Sequence, residues 1–294
     1  MNQSSLSIYF KSIFEILRWN KPTGRLILLI PACWSLWLTP NESPEISILI
    51  KILFGGLFVS SFGCVANDIW DREIDKKVLR TKDRPLALNK ISLPLAFFIL
   101  FLFMIGSLLI TISLPQSGRN ISLILALIAL PFILIYPSSK RWFKFPQVLL
   151  SICWGFAVLI PWAAHEGNLL SPILFFCWFG TIFWTFGFDT VYALADKEYD
   201  LKLGVNSSAI NLKKYLKVSI HVCYFITSAS LGICAILKEL NLIFWPIWII
   251  ISILMQKDVN TIFQRRNNSM KQISQHFQNQ VFYGLFYLLG IIIS

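Results

Sequence analysis

The sequence predicts an all-α polytopic membrane protein with about nine transmembrane helices surrounding a central cavity. Of its 294 residues, 56% are hydrophobic and only 14% are charged, and the mean hydropathy is +0.65. A soluble domain of this length needs a more polar surface. Because no linker or low-complexity stretch interrupts the pattern, we expect residues 1–294 to form a single membrane domain.

Apolar runs recur along the chain, and several exceed the roughly 18 residues that a helix needs to cross the hydrocarbon core. The runs are 25–38, 46–66, 91–113, 121–136, 147–164, 172–195, 218–237, 240–255 and 280–294. The runs 25–38, 121–136 and 280–294 are short enough to be tilted or buried helices. The sequence therefore predicts nine spans, give or take about one.

The first 20 residues differ from these runs because Lys11, Glu15 and Arg18 alternate with apolar side chains. This pattern favours an amphipathic helix on the membrane surface over a cleavable signal peptide.

The distribution of basic residues predicts the orientation. With the N-terminus in the cytoplasm, all but three of the 26 Lys and Arg fall in cytoplasmic segments, the exceptions being Lys51, Arg119 and Lys238. That asymmetry follows the positive-inside rule and leaves the C-terminus outside. The net charge of +11 is spread over short loops, which fits anionic headgroups and an anionic substrate rather than nucleic acid. The high Ile, Lys and Asn content is typical of an AT-rich bacterial genome, so we expect a bacterial inner membrane.

Nine of the fifteen Asp and Glu residues lie in two windows, 68–83 and 189–200, and the acidic cluster in each window is expected at a cytoplasmic helix end. The first acidic cluster is Asn67, Asp68, Asp71 and Asp75, and the second is Asp189, Tyr192, Asp196 and Asp200. On a helix each set falls largely within an arc of roughly 80°. Carboxylates near the hydrocarbon boundary are costly unless paired, and Mg²⁺ prefers carboxylate together with phosphate oxygens. The pattern predicts a membrane enzyme that handles a diphosphate.

Basic side chains beside these clusters are candidate ligands for an anionic substrate. They are Arg18, Arg72, Lys140, Arg141 and Lys197. The segment from Asp75 to Leu86 has alternating charges and carries Pro85 near its end. This pattern favours a structured cap over a pocket, and a solvated loop is the alternative. Lys140 and Arg141 have the alternative role of positive-inside anchors.

Other functional classes fit less well. A cation-coupled transporter also uses intramembrane carboxylates, but it does not require Arg and Lys around them. A soluble-type isoprenyl chain-elongating synthase is excluded because the chain has no D-D-x-x-D motif. The six cysteines lie in apolar runs without a C-x-x-C pair, so we expect neither disulfides nor zinc.

The two clusters read N-D-x-x-D-x-x-x-D and D-x-x-Y-x-x-x-D-x-x-x-D. With these motifs the chain resembles the UbiA superfamily of intramembrane aromatic prenyltransferases over nearly its whole length, and within it the 4-hydroxybenzoate polyprenyltransferases. Four further segments resemble that group, 18–24, 80–86, 136–147, and 200–204 together with 207–210. Tyr199 and Asn206 depart from its usual residues.

The resemblance implies Mg²⁺-dependent transfer of a polyprenyl group from polyprenyl diphosphate to 4-hydroxybenzoate, ortho to the hydroxyl, in ubiquinone- or plastoquinone-type biosynthesis. Homogentisate, a naphthoate or a chlorin are alternative acceptors. The implied metal ligands are Asn67, Asp68, Asp71, Asp75, Asp196 and Asp200.

The resemblance also implies roles for other residues of the site. Arg72, Lys140 and Arg141 would neutralise the diphosphate. Asp189 or a neighbouring acid would help to remove the ring proton, and Tyr192 would orient a ligand or a carboxylate. The acceptor carboxylate would bind one of four cations, Arg18, Lys21, Arg80 or Arg84.

Overall fold

The computed structural model describes residues 3–40, 43–264 and 270–294, with side chains from residue 9 onward. Over these ranges the chain is helical and contains no strand. The basic residues Arg265 and Arg266, which the orientation argument counts as cytoplasmic, lie outside the described residues.

Each predicted apolar run coincides largely with one long helix. The α-helices are α1 (Gln3–Ile16), α2 (Thr23–Leu38), α3 (Ile46–Asp75), α4 (Leu93–Ile112), α5 (Gln116–Ile135), α6 (Pro146–Glu166), α7 (Pro172–Ala193), α8 (Lys197–Leu203), α9 (Ser208–Asn211), α10 (Leu216–Leu237), α11 (Phe244–Phe263) and α12 (Met270–Ile292). Short 3₁₀ turns cover Tyr136–Arg141, Leu194–Asp196 and Lys213–Tyr215. The all-α prediction is therefore confirmed.

Six helical segments of the described chain are long and apolar enough to cross a membrane. They begin at α3, α4, α5, α6, α7 and α10. Helix α2 has 16 residues, and α11 and α12 include polar stretches such as Lys257–Asp258, which lower their hydropathy. The count of nine spans and the orientation stay predictions.

The long helices pack mostly against their neighbours in the chain, and α12 returns to α2. Trp34 of α2 donates its indole N–H to the carbonyl oxygen of Gly284 in α12 at 3.0 Å. This contact joins the first long helix to the last, so the long helices form a closed arrangement.

Helix α4 lies at the periphery. Its Phe97, Phe98, Phe101 and Leu102 are exposed, while only Ala96 and Ile99 are buried. Such a continuous exposed apolar face is unfavourable in water but stable against lipid tails.

An apolar cavity of about 210 Å³ lies among α2, α3, α4, α5 and α6. Phe62, Ile133 and Cys153 are among the lining residues. Phe62 lies between one and two helical turns before Asn67 on α3, and Ile133 lies one turn before Tyr136. The cavity therefore approaches the first acidic cluster from the interior of the bundle.

The second acidic cluster begins on α7, where this helix packs tightly on α10. A Cβ atom on Gly187 would lie 2.7 Å from the Tyr224 ring, so glycine permits the close approach. Beyond Ala193 the helix tightens into the 3₁₀ turn before α8 begins. The expectation of one regular helical stripe through Asp200 was therefore wrong, because a 3₁₀ turn rotates the following residues relative to α7.

Candidate active site

The first acidic cluster occupies the last turns of α3. Asp68, Asp71 and Asp75 are all less than 5% exposed. Asn67 Oδ1 accepts a hydrogen bond of 3.4 Å from the Tyr136 hydroxyl. The i, i+4 spacing places Asn67, Asp71 and Asp75 along one face of α3, as the sequence predicted.

Two arginines share the Asp68 carboxylate. Arg18 Nη2 lies 2.5 Å from Asp68 Oδ1, and Arg84 Nη1 lies 3.2 Å from the same oxygen. Arg84 Nη1 also lies 2.7 Å from Asp75 Oδ2. Arg18 has a positive φ of 57°, a conformation that ends α1 and turns the chain towards α2. These pairs tie the N-terminal segment and the loop after α3 to the first acidic cluster.

Asp71 is paired with the segment that follows α5. Lys140 Nζ lies 3.1 Å from Asp71 Oδ2, and Arg141 Nη1 lies 3.5 Å from Asp71 Oδ1. Arg141 also donates to the backbone oxygen of Trp70 at 2.7 Å. Two of the three basic residues expected to contact the diphosphate, Lys140 and Arg141, thus lie directly on the first acidic cluster.

In the second acidic cluster, Asp196 is held by Arg80. Arg80 Nε donates to Asp196 Oδ1 at 2.9 Å, and Arg80 Nη2 donates to Oδ2 of the same carboxylate. Arg80 Nη1 also donates to the Tyr192 hydroxyl at 3.1 Å, and its guanidinium carbon lies 5.1 Å from the Tyr192 ring centre. One arginine therefore joins the loop after the first acidic cluster to two members of the second.

Lys140 also faces the second acidic cluster. Its ammonium interacts electrostatically with Asp200 as well as with Asp71, and Asp189 lies within reach of the same charge. Gln147 lies near Asp189, and its Oε1 accepts the backbone N–H of Ser208 at 2.8 Å. Asp200 is buried, whereas Asp189 retains some exposed surface. Lys140 is therefore ion-paired with the first acidic cluster and lies within electrostatic range of the second.

The loop of residues 76–92, here called the cap loop, lies over both clusters. Val78, Thr81, Leu86 and Ile91 are buried, which anchors the loop on the bundle. Its arginines reach the first acidic cluster through Arg84 and the second through Arg80. These contacts favour a structured cap over a solvated loop.

The charge state of the cap loop follows from these pairs. Burial by itself would lower the pKa of Arg80, but the hydrogen bonds to Asp196 and the Tyr192 oxygen raise it overall. Burial likewise opposes ionisation of Arg84, and the neighbouring Asp68 and Asp75 raise its pKa. Both arginines are fixed cations of the site.

Not every predicted residue faces the clusters. Arg72 Nη2 donates to Asn89 Oδ1 at 2.6 Å, and Arg72 Nε lies 3.9 Å from Glu73, so its side chain extends away from Asp71. Lys197 begins α8 and is partly exposed. Arg80 and Arg84 were named from the sequence only as alternatives for the acceptor carboxylate. The sequence signal for a larger role of Arg80 and Arg84 was their position among acidic residues, at the two ends of a segment of alternating charge.

The donor atoms present fit a divalent cation such as Mg²⁺. Asp68 Oδ2 and Asp71 Oδ1 are buried without a hydrogen-bond partner. Buried carboxylate oxygens of this kind are unfavourable unless a cation approaches them. Across the ranges that the structure describes, no three acidic, His or Cys side chains gather around one point. Asp68, Asp71, Asp75 and Asp196 are instead turned towards Arg or Lys.

Comparison with known proteins agrees with this geometry. Residues 28–287 match the model of the UbiA prenyltransferase family. The chain is 42% identical over 234 residues to a 4-hydroxybenzoate solanesyltransferase of Synechocystis sp., covering 80% of this chain and 78% of the relative. It is 36% identical over 243 residues to a 4-hydroxybenzoate octaprenyltransferase of Legionella pneumophila, covering 82% and 84%.

Two solved structures share the fold. A UbiA homologue from Aeropyrum pernix superposes with a TM-score of 0.78 at 19% identity, over 92% of this chain and 97% of the other. A UbiA homologue from Archaeoglobus fulgidus, bound to GPP and Mg²⁺, has a TM-score of 0.72 at 15% identity, over 96% and 99%. The chain therefore belongs to the UbiA prenyltransferase family and is an integral membrane prenyltransferase.

Proposed function

We propose that the protein transfers a polyprenyl group from polyprenyl diphosphate to 4-hydroxybenzoate, at the ring carbon ortho to the hydroxyl, with Mg²⁺, in quinone biosynthesis. The observation that carries the proposal is that one cap loop contacts both acidic clusters, through Arg84 at Asp68 and Asp75 and through Arg80 at Asp196. Lys140 lies beside them on Asp71. The names of the relatives support 4-hydroxybenzoate as acceptor.

The metal would be held by oxygen atoms of both clusters. The proposed ligands are Asn67, Asp68, Asp71, Asp75, Asp196 and Asp200. The unpartnered oxygens Asp68 Oδ2 and Asp71 Oδ1 support this set. When bound, Mg²⁺ would neutralise charge on the diphosphate and make it a better leaving group.

Basic side chains would hold the diphosphate itself. Lys140, Arg141 and Arg80 already lie against carboxylates at the point where the clusters meet. Phosphate oxygens accept the same charge-assisted hydrogen bonds as these carboxylates. Such contacts strengthen as the bond between the prenyl C1 and the oxygen breaks and negative charge accumulates on the diphosphate.

Aromatic and carboxylate groups would guide the remaining steps. Tyr136 and Tyr192 lie at the two clusters, Phe277 packs on Tyr192, and Phe188 packs on Phe277. These rings exclude water from the allylic cation and stabilise it through their π faces. The ring carbon of the acceptor then bonds to C1 of the prenyl group, and we propose that its proton passes to Asp189.

The apolar cavity among α2–α6 would hold the part of the tail next to the diphosphate. Its volume of about 210 Å³ is far too small for a tail of forty or more carbons. The remainder would extend laterally between helices into the bilayer, where its apolar surface is favourable.

The acceptor carboxylate would bind on the side of the cap loop that lies over Asp68, opposite the side that lies over Asp196. Arg18 and Arg84 flank Asp68 there, and burial together with the nearby Arg18 lowers the pKa of Lys21. Lys197 would contribute a more distant positive charge. We place the site on the cytoplasmic face of a bacterial inner membrane, within one domain spanning 1–294.

The direct test uses membranes containing this chain, a polyprenyl diphosphate, Mg²⁺ and radiolabelled 4-hydroxybenzoate. We expect a lipid-extractable product that EDTA suppresses. Diphosphate release only with another aromatic acceptor would contradict the acceptor assignment. Failure to form product or release diphosphate with any acceptor would contradict the reaction.

A further inference from the structure

Arg80 occupies both oxygens of a carboxylate that we propose as a metal ligand. Its Nε lies 2.9 Å from Asp196 Oδ1, and Nη2 donates to Oδ2. The two residues are 116 positions apart and lie on separate elements, the cap loop and the 3₁₀ turn after α7. Tyr192 holds the third nitrogen of the same guanidinium through its hydroxyl at 3.1 Å.

This arrangement disfavours a metal at Asp196. When both oxygens of a carboxylate accept from one guanidinium, about half of its lone-pair sites are occupied, and the nearby positive charge repels a cation. The first cluster differs, because Asp68 and Asp71 each keep one buried oxygen without a hydrogen-bond partner. A cation would therefore meet an oxygen without a hydrogen-bond partner at Asp68, and one at Asp71 that Arg141 approaches only to 3.5 Å, whereas both oxygens of Asp196 accept from Arg80.

Arg80 can bind a diphosphate as readily as a carboxylate. The guanidinium forms paired, charge-assisted hydrogen bonds with both groups. Moving from Asp196 to the donor would thus exchange one set of strong bonds for another. The side chain is partly exposed at 22%, so an incoming anion can reach it, and the stacking on Tyr192 can guide its movement.

We propose that Arg80 is a competing counter-ion that occupies Asp196 until the diphosphate of the donor arrives, and then transfers its guanidinium to that diphosphate. Asp196 then becomes free to bind the metal. This proposal rests on the proposed function, because it assumes a diphosphate donor and a divalent cation. It makes metal binding at the second cluster dependent on the diphosphate, and the dependence is reciprocal.

The other basic residues of the site are placed differently. Arg84 bridges Asp68 and Asp75 with a single nitrogen, and Lys140 contacts Asp71 through one ammonium. Among the ion pairs of the described residues, Arg80–Asp196 links the cap loop to the second cluster. In this pair the guanidinium contacts both oxygens of the carboxylate.

The test measures binding of Mn²⁺, used as a spectroscopic substitute for Mg²⁺, to the purified full chain by EPR, alone and with inorganic diphosphate. For Arg80→Gln we expect Mn²⁺ alone to bind about tenfold more tightly than in the wild type. We also expect the enhancement by diphosphate to shrink and prenyl transfer to fall. Opposite changes in metal affinity and turnover are not the signature of a damaged fold.

Lys82→Gln provides the matched control, because Lys82 is an exposed cation of the same cap loop. It removes one positive charge and should leave Mn²⁺ affinity close to that of the wild type. Tyr192→Phe removes the hydroxyl that holds Arg80, and should shift Mn²⁺ affinity in the same direction as Arg80→Gln by a smaller factor.

Mn²⁺ affinity in Arg80→Gln that equals or falls below that of the wild type would overturn the proposal. An increase in Mn²⁺ affinity of the same size in Lys82→Gln would also overturn it. If Arg80→Gln does not fold, Tyr192→Phe decides, and unchanged affinity there overturns the proposal. The Mn²⁺ measurement uses neither prenyl donor nor aromatic acceptor, whereas the proposed function depends on product formation by the wild type. The two experiments therefore distinguish failure of the proposal on Arg80 from failure of the proposed function.

Discussion

Lys140 Nζ lies 3.1 Å from Asp71 Oδ2, although 69 positions separate the two residues. The same ammonium faces Asp200 of the second acidic cluster. Asn206, which follows α8, donates its backbone N–H to the carbonyl oxygen of Lys140 at 2.7 Å. The short segment after α5 thus links α3 to the chain that follows α8, and Lys140 is ion-paired with the first cluster and lies within electrostatic range of the second.

Replacing Lys140 with Met should weaken binding of the donor. We expect KM for polyprenyl diphosphate to rise by about ten- to a hundredfold, since a charge-assisted contact to a phosphate contributes roughly 1.5–3 kcal/mol. Steady-state kinetics in detergent checks this. Lys144→Met is the control, because Lys144 is an exposed cation of the same segment. Equal effects of both substitutions would contradict a specific role for Lys140.

Asp71→Ala and Asp196→Ala should each abolish turnover while the protein still inserts in the membrane. We expect kcat to fall by about a hundredfold or more, because each removes a proposed metal ligand from a buried charged site. Radiolabel transfer measures activity, and membrane fractionation measures insertion. Asp83→Ala, which alters an exposed acid of the cap loop, should retain activity. Normal turnover in either test variant would contradict the two-cluster metal site.

A buried polar network outside the site should contribute to stability. His276 Nδ1 lies 2.8 Å from Asp258 Oδ2, and Nε2 lies 2.7 Å from the Tyr224 hydroxyl. His276→Leu leaves the buried Tyr224 hydroxyl and the partly buried Asp258 carboxylate without this ring, so the free energy of unfolding should fall by about 1–3 kcal/mol. Chemical denaturation in detergent checks this, with Gln278→Leu on the exposed side of α12 as control. Equal stability of the two variants would contradict the assignment.

Filling the apolar cavity should change the preference for tail length. Gly55 lines the cavity, and a Cβ atom there would meet only Ile110 at 3.4 Å. We expect Gly55→Leu to reduce kcat/KM for long donors by about tenfold more than for a two-isoprene donor, since only long tails reach this depth. A donor series measures the ratio. A uniform loss across the series would place the tail elsewhere.

Much of the fold could be predicted because helices follow local patterns. Each of the nine apolar runs coincides largely with one helix, and Asn67, Asp71 and Asp75 share one face of α3 because i, i+4 spacing sets that geometry. The second cluster was less predictable. The 3₁₀ turn of Leu194–Asp196 interrupts α7 where Asp196 pairs with Arg80, a contact that local propensity does not encode.

The sequence by itself determined the all-α membrane architecture and the positions of the acidic clusters in the chain. It also determined the family chemistry that their spacing implies. Only the tertiary structure decided which cation lies on which carboxylate. Arg18 meets Asp68 across 50 positions, and Arg80 meets Asp196 across 116. Helical periodicity relates residues three or four apart, whereas these pairs depend on how separate helices pack and on how the cap loop folds over them.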